Sequence, residues 1–93
     1  MSETAQQFWQ LVEELINAAN QKASDSEPAL VSDALLYAAA RYNSYVAAAA
    51  TASRTEFKAE LGEVKVLLME QFEAMLDANL DDYLDNYKIY LER

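Results

Sequence analysis

The densest group of residues that could do chemistry lies near the C-terminus. Between residues 70 and 85 there are six acidic side chains and no basic one. They are Glu70, Glu73, Asp77, Asp81, Asp82 and Asp85. Such a run is typical of a solvated helix face that keeps a protein in solution, and it also suits docking to a basic partner. Binding of a divalent cation is the third possibility, and the spacing of these residues tests it.

Four polar residues match ligand positions of a calcium-binding loop. Positions 1, 3, 5 and 9 are occupied by Asp77, Asn79, Asp81 and Asp85. Position 6, which should be Gly to allow a sharp turn, is Asp82, and position 12, which should be a bidentate Glu, is Lys88. Because both essential positions fail, we reject an EF-hand and predict no metal site and no cofactor.

Three tyrosines are interleaved with these acids at helical spacing. Tyr83, Tyr87 and Tyr90 are four and three residues apart, so one helix face carries all three rings. They could pack on Phe8 and Trp9 or on the second helix, or they could form a surface for self-association. We call the predicted interaction surface the acidic tyrosine surface; it comprises Tyr83, Tyr87, Tyr90, Asp77, Asp81, Asp82 and Asp85.

A second group surrounds the single basic residue in the middle of the chain. Tyr37, Arg41 and Tyr45 follow each other at intervals of four, which allows the guanidinium to stack between two rings. If Arg41 is buried, it needs an acidic partner. Three roles are therefore possible for Arg41: a salt bridge to the first or third helix, a contact in a subunit interface, or part of an anion-binding pocket. Asn43 and Asn17 are further candidates for buried polar or pocket residues that set the packing register.

Catalysis has little support in this sequence. The chain contains no Cys and no His, so Ser44 and Ser53 lack the usual base that would activate a hydroxyl group. Neighbouring acids such as Asp81 and Asp82 point to different faces of a helix. No glycine-rich loop is present to hold a phosphate, because the chain has one Gly. We therefore predict that the protein is not an enzyme.

The charge balance restricts the partners. Sixteen acids against seven bases give a net charge of −9, which disfavours direct binding to nucleic acid or to an anionic membrane surface. The N-terminus shows no secretory pattern. The apolar stretch at residues 34–52 is interrupted by Arg41 and Asn43 and is rich in Ala, so we predict a buried helix there and a cytoplasmic protein.

The elements that carry these residues are predicted to be helices. One Gly and one Pro in 93 residues leave few tight turns for a sheet. We predict a single helical domain over residues 1–93, with helices from Thr4 to about Ala23, from Pro28 to about Thr51, and from Arg54 onward. Thr4 with Gln7, and Ser53 with Glu56, resemble capping boxes. The predicted fold is all-α, an antiparallel bundle of three long helices.

The third helix allows two arrangements. Its apolar residues continue to Leu91, and a helix of that length cannot lie flush with two shorter ones. It could break near Asn79 and fold back as a fourth helix. We favour an unbroken helix whose end packs on a second subunit, because no Gly or Pro near Asn79 would make the reversal.

Three segments carry a resemblance to a known family. They read FW at 8–9 with INAAN at 16–20, then YAAARYN at 37–43, then LDDYLDNY at 80–87. Together they resemble a family of small uncharacterised bacterial proteins, an all-helical domain of unknown function of about this length. The resemblance implies a bacterial, cytoplasmic protein and implies no activity, cofactor or site residue.

The leading functional hypothesis is a small acidic protein-interaction module that forms a homodimer. It depends on the second helix, which has no clearly polar face and therefore needs an additional covering layer. One alternative is an acidic decoy that imitates nucleic acid and occupies the site of a basic protein partner. Another is a small-molecule or metal carrier with a pocket between helices.

Overall fold

Residues 2–92 form four α-helices. A computed structural model describes residues 2–92. The helices are α1 (Glu3–Ala23), α2 (Pro28–Ala49), α3 (Arg54–Asp85) and α4 (Tyr87–Leu91). Residues 2–92 contain no strand, which confirms the all-α class. The chain divides into two units, Met1–Val46 and Ala47–Arg93. The antiparallel bundle and the single domain over residues 1–93 stay predictions.

The first helix begins one residue earlier than predicted. Ser2 is its N-cap, with an extended backbone, and its Oγ accepts a hydrogen bond from the Ala5 amide at 3.1 Å. The predicted cap at Thr4 was wrong because Thr4 already lies within the helix. Placing the cap at Ser2 brings Glu3 into the first turn, where a negative charge interacts favourably with the helix dipole.

The predicted break between α1 and α2 is confirmed. Pro28 is the first residue of α2, where its missing N–H leaves no hydrogen bond unmade. The Glu27 carbonyl accepts from the amides of Leu30 at 3.0 Å and Val31 at 3.1 Å, which joins the linker to the first turn. Glu27 itself lies outside both helices, as expected for a residue before proline.

The turn between α2 and α3 forms without Gly or Pro. α2 ends at Ala49, where Thr51 closes the helix by donating its backbone N–H and its Oγ1 hydroxyl to the Ala48 carbonyl, at 3.1 and 2.7 Å. Ser53 then caps α3, accepting at Oγ from the Glu56 amide at 3.2 Å. Glu56 Oε2 accepts in return from the Ala52 amide at 3.0 Å. The predicted cap is confirmed, with Ala52 rather than Ser53 as the reciprocal donor.

The third helix runs without interruption through Asn79. It contains 32 residues and spans about 48 Å at 1.5 Å per residue. The Asn79 side-chain amide donates to the Met75 carbonyl one turn earlier, at 2.7 Å, so this residue is accommodated inside the helix. The predicted alternative of a break near Asn79 is wrong. An unbroken helix as far as Leu91 is also wrong, because α3 ends at Asp85 and α4 follows.

Neither unit has a core of its own. Among residues 2–92 none is buried, and the more covered apolar side chains, such as Val12, Val31 and Leu68, are half-buried. The predicted burial of α2 is not met within one chain: Leu36 is 57% exposed and Tyr42 is 66% exposed. The helices are therefore well defined by their local hydrogen bonds, while their apolar faces lack cover.

Candidate functional site

Asp82 organises the junction between α3 and α4. The Asn86 amide N–H donates to the Asp82 carbonyl at 3.0 Å and ends α3. The Asn86 side chain donates to Asp82 Oδ1 at 2.8 Å, so one residue binds both the backbone and the carboxylate of Asp82. The Asn86 carbonyl then accepts from the Tyr90 amide at 3.1 Å, which starts α4. This junction positions the C-terminal tyrosines.

Tyr90 also binds the Asp82 carboxylate. Its hydroxyl donates to Asp82 Oδ2 at 3.0 Å, and its ring lies against Tyr83 with centroids 4.7 Å apart and planes inclined by 45°. The hydrogen bond to Asp82 raises the pKa of Tyr90 above its ordinary value of 10.0, and the negative charge of that carboxylate adds to the effect. Desolvation and Tyr83 contribute less.

The structure therefore brings together part of the acidic tyrosine surface. Asp82, Tyr83 and Tyr90 form one cluster, joined by the Tyr90–Asp82 hydrogen bond and by the contact between the two tilted rings. Asn86, which completes the cluster, was missed by sequence reasoning. Its side chain makes no cap hydrogen bond to α4 and donates to Asp82 instead, so the general preference of Asn for helix starts would not have identified this contact.

The remaining members of the acidic tyrosine surface are exposed on the helices. Tyr87 is 51% exposed, and Asp77, Asp81 and Asp85 are exposed along α3. The backbone from Asp77 to Asp85 is helical throughout, so the loop that a calcium site would need does not form. Within residues 2–92 no three acidic side chains converge in a way that could hold a metal ion.

The group around Arg41 is also exposed. Tyr37 is 69% exposed, and the rings in contact are those of Tyr42 and Tyr45, with centroids 5.8 Å apart. Arg41, Asn43 and Asn17 are exposed. A role for them as buried polar residues stays a prediction about an assembled form.

An apolar cavity of about 410 Å³ opens between α1 and α2. Its walls are largely aliphatic, with Leu15 and Ala19 from α1 and Leu30, Val31 and Leu35 from α2. Lys22 is its charged lining residue, and Arg41, Asn43 and Asn17 do not line it. A carrier site needs several polar groups directed at one ligand. The three polar residues predicted for such a pocket are not gathered there.

The comparisons with known proteins agree with the resemblance seen in the sequence. No helix within residues 2–92 combines the length and the apolar content needed to cross a membrane. No curated protein and no solved structure matches the chain. The model of a family described as protein of unknown function, DUF3144, matches residues 8–84, which is 77 of the 93 residues. With a match over most of its length and an all-helical structure, the chain belongs to the DUF3144 family.

Proposed function

We propose that this protein is a small acidic helical interaction module that assembles with a second copy of itself. The observation that carries the proposal is the exposure of its apolar side chains. Most large hydrophobic residues between Phe8 and Leu91 are 41–75% exposed, and within residues 2–92 none is buried. Folded domains owe their stability mainly to apolar burial, so a partner that covers these faces is required for a stable state.

The helix lengths favour a second copy over cover from within the chain. At 1.5 Å per residue, α1 and α2 span about 32 and 33 Å, whereas α3 spans about 48 Å. Neither α1 nor α2 alone can pack along the whole of α3, because each is about 15 Å shorter. A second copy supplies a helix of equal length that can do so.

The apolar area of the C-terminal part is large enough for an interface. Eight large hydrophobic side chains there are 41–75% exposed. They are Phe72, Met75, Leu76, Leu80, Tyr83, Leu84, Tyr87 and Tyr90. If each buries about 100 Å² on association, the total is about 800 Å², which is what one partner contributes to a standard interface.

The net charge distinguishes self-association from docking to a basic partner through the effect of salt. Two copies that each carry −9 repel one another, so salt should tighten self-association by screening. Docking to a basic partner would weaken with salt, because there the charges attract. The acidic decoy and the carrier stay predictions beside this proposal.

Analytical ultracentrifugation at micromolar concentration tests the proposal. We expect a species of about 21 kDa, twice the 10.5 kDa of one chain. Substituting Tyr83→Asp together with Tyr87→Asp should dissociate it, because two charges would enter an apolar interface. The matched control is Ala74→Asp with Ala78→Asp, two substitutions within α3. Ala74 lies nine residues before Tyr83, or 2.5 turns, and therefore on the opposite face of α3.

The control variant adds the same charge and should still dimerise. Far-UV circular dichroism on both variants checks that the helices persist. A mass of one chain at every concentration and salt level would contradict the proposal. Equal dissociation by both double variants would show that added charge in general, and not charge at these tyrosines, separates the copies, and a dimer that survives both would place the interface elsewhere.

A further inference from the structure

Seven apolar residues of α3 form a series that is symmetric about Phe72. They follow one another at spacings of three, four, four, four, four and three residues. They are Leu61, Val64, Leu68, Phe72, Leu76, Leu80 and Tyr83. The series has the same spacing in either direction along the helix. Phe57 and Tyr87 extend it by four residues at each end.

A palindromic stripe is what a two-fold pair of antiparallel helices requires. In an interface between identical chains, if one residue contacts a second, the second contacts the first in the symmetric position. We propose, building on the self-association argued above, that α3 pairs antiparallel with α3 of a second copy, with Phe72 at the two-fold axis. Leu61 then faces the partner's Tyr83, and Leu68 faces the partner's Leu76.

The polar residues on this stripe obey the same symmetry. Lys65 and Asn79 each lie seven residues from Phe72, and Lys58 and Asn86 each lie fourteen residues away. In the antiparallel pair each lysine therefore faces an amide of the other copy. A parallel pair in register would instead place each lysine beside its own twin, which repels.

The charges along α3 favour the same orientation. Its first part, Arg54–Lys65, holds three bases and three acids, so its formal charge is zero. The part from Glu70 to Asp85 holds six acids and no base. A parallel pair stacks six acids on six acids, whereas the antiparallel pair places each acidic half beside the half that holds the lysines.

The stripe is accessible to a second copy. Leu61 is 49% exposed, Phe72 is 51% exposed and Tyr83 is 49% exposed, and α3 is continuous across all three. Because α3 is continuous through Phe72, residues on both sides of the symmetry centre are available to a second copy. The break at Asn86 lies beyond the seven-residue series, so it does not interrupt that contact.

Distances between spin labels test the orientation. The chain has no Cys, so Lys65→Cys and, separately, Lys58→Cys each carry a single label. Both lysines are exposed, which makes loss of folding unexpected at either site. In the antiparallel pair the two labels lie 14 and 28 residues apart along the axis, or about 21 and 42 Å. Pulsed electron spin resonance measures both distances.

Cross-linking provides the second readout. A mixture of Lys65→Cys and Asn79→Cys chains should form a covalent heterodimer with a short bis-maleimide, and neither variant alone should cross-link. Short label distances at both lysine sites, or efficient cross-linking of Lys65→Cys alone, would overturn the antiparallel pairing while leaving the dimer intact. A monomer in the ultracentrifuge would instead remove the proposed function, and the pairing with it.

Discussion

Replacing Ser53 by Ala tests the cap that separates α2 from α3. The Ser53 Oγ accepts a hydrogen bond from the Glu56 amide at 3.2 Å, and this bond satisfies one of the otherwise free donors at the start of α3. No Gly or Pro marks this turn, so the cap is the main local signal for a new helix. Its removal should expose the Glu56 amide and weaken the boundary.

The expected loss is about 1 kcal/mol in the free energy of unfolding, the ordinary cost of replacing a Ser N-cap by Ala. For a domain of this size, that corresponds to a fall of roughly 4–8 °C in the melting temperature. The bond from the Ala52 amide to Glu56 Oε2 survives the substitution, which keeps the loss from exceeding this value.

Ser44→Ala is the matched control because it makes the same chemical change inside a helix. Ser44 is exposed in α2, and its hydroxyl donates to the Ala40 carbonyl at 2.8 Å, an acceptor that the helix already uses. Ala has the higher helix propensity by about 0.5 kcal/mol, so this variant should be slightly more stable. The two Ser→Ala substitutions should thus have opposite signs.

Urea unfolding followed by circular dichroism at 222 nm measures both variants. The protein concentration must be the same in each experiment, because association adds to the apparent stability. If Ser53→Ala is as stable as Ser44→Ala, the reasoning fails, and packing rather than the cap sets the boundary. A rise in helical signal for Ser53→Ala would show that α2 and α3 merge through the Ala-rich turn.

Two further predictions concern the junction at Asp82 and the single glycine. Alkaline titration at 295 nm should show a tyrosine ionisation above the ordinary phenol pKa of 10.0, and Tyr90→Phe should remove that step. Because the pKa of Tyr90 is raised in the folded protein, its hydrogen bond to Asp82 contributes fully to stability below the ordinary phenol pKa of 10.0, and this contribution is lost as the pH rises through the folded value. Asp82→Asn should move the ionisation of Tyr90 to lower pH. A titration that neither substitution changes would contradict this reasoning. Gly62→Ala should raise the free energy of unfolding by about 0.5–1 kcal/mol, because Ala favours the helix over Gly and no neighbouring side chain lies within 4 Å of an added Cβ. Lower stability in the same urea assay would show that Gly62 packs against a partner.

Much of the helical layout could be predicted because its signals are local. Pro28 at the start of α2 and Ser53 at the start of α3 act through bonds to residues within four positions. The error at Thr4 has the same origin. Ser2 and Thr4 are both good N-caps, and the choice between them depends on small differences that the residue types alone do not resolve.

The candidate site could be predicted in its residues but not in its contacts. Helical spacing placed Tyr83, Tyr87 and Tyr90 on one face, yet the observed ring contact joins Tyr83 to Tyr90. In an unbroken helix these two residues differ by about 10 Å in height, whereas the break at Asn86 brings their centroids to 4.7 Å. Only this geometry identifies Asp82 as the carboxylate that accepts the hydrogen bond from Tyr90.

The sequence by itself determined that the chain is helical, where two of its breaks lie and which faces are apolar, since periodicity, caps and proline act over one or two turns. Only the tertiary structure decided whether those faces are covered. Burial requires contact between two surfaces that are distant in the sequence. The apolar residues of a helix show that it needs such a contact but do not show which surface provides it. In this chain α2 and α3 keep large side chains such as Tyr42 and Phe72 more than half exposed, because neither unit by itself contains an opposing layer that buries them.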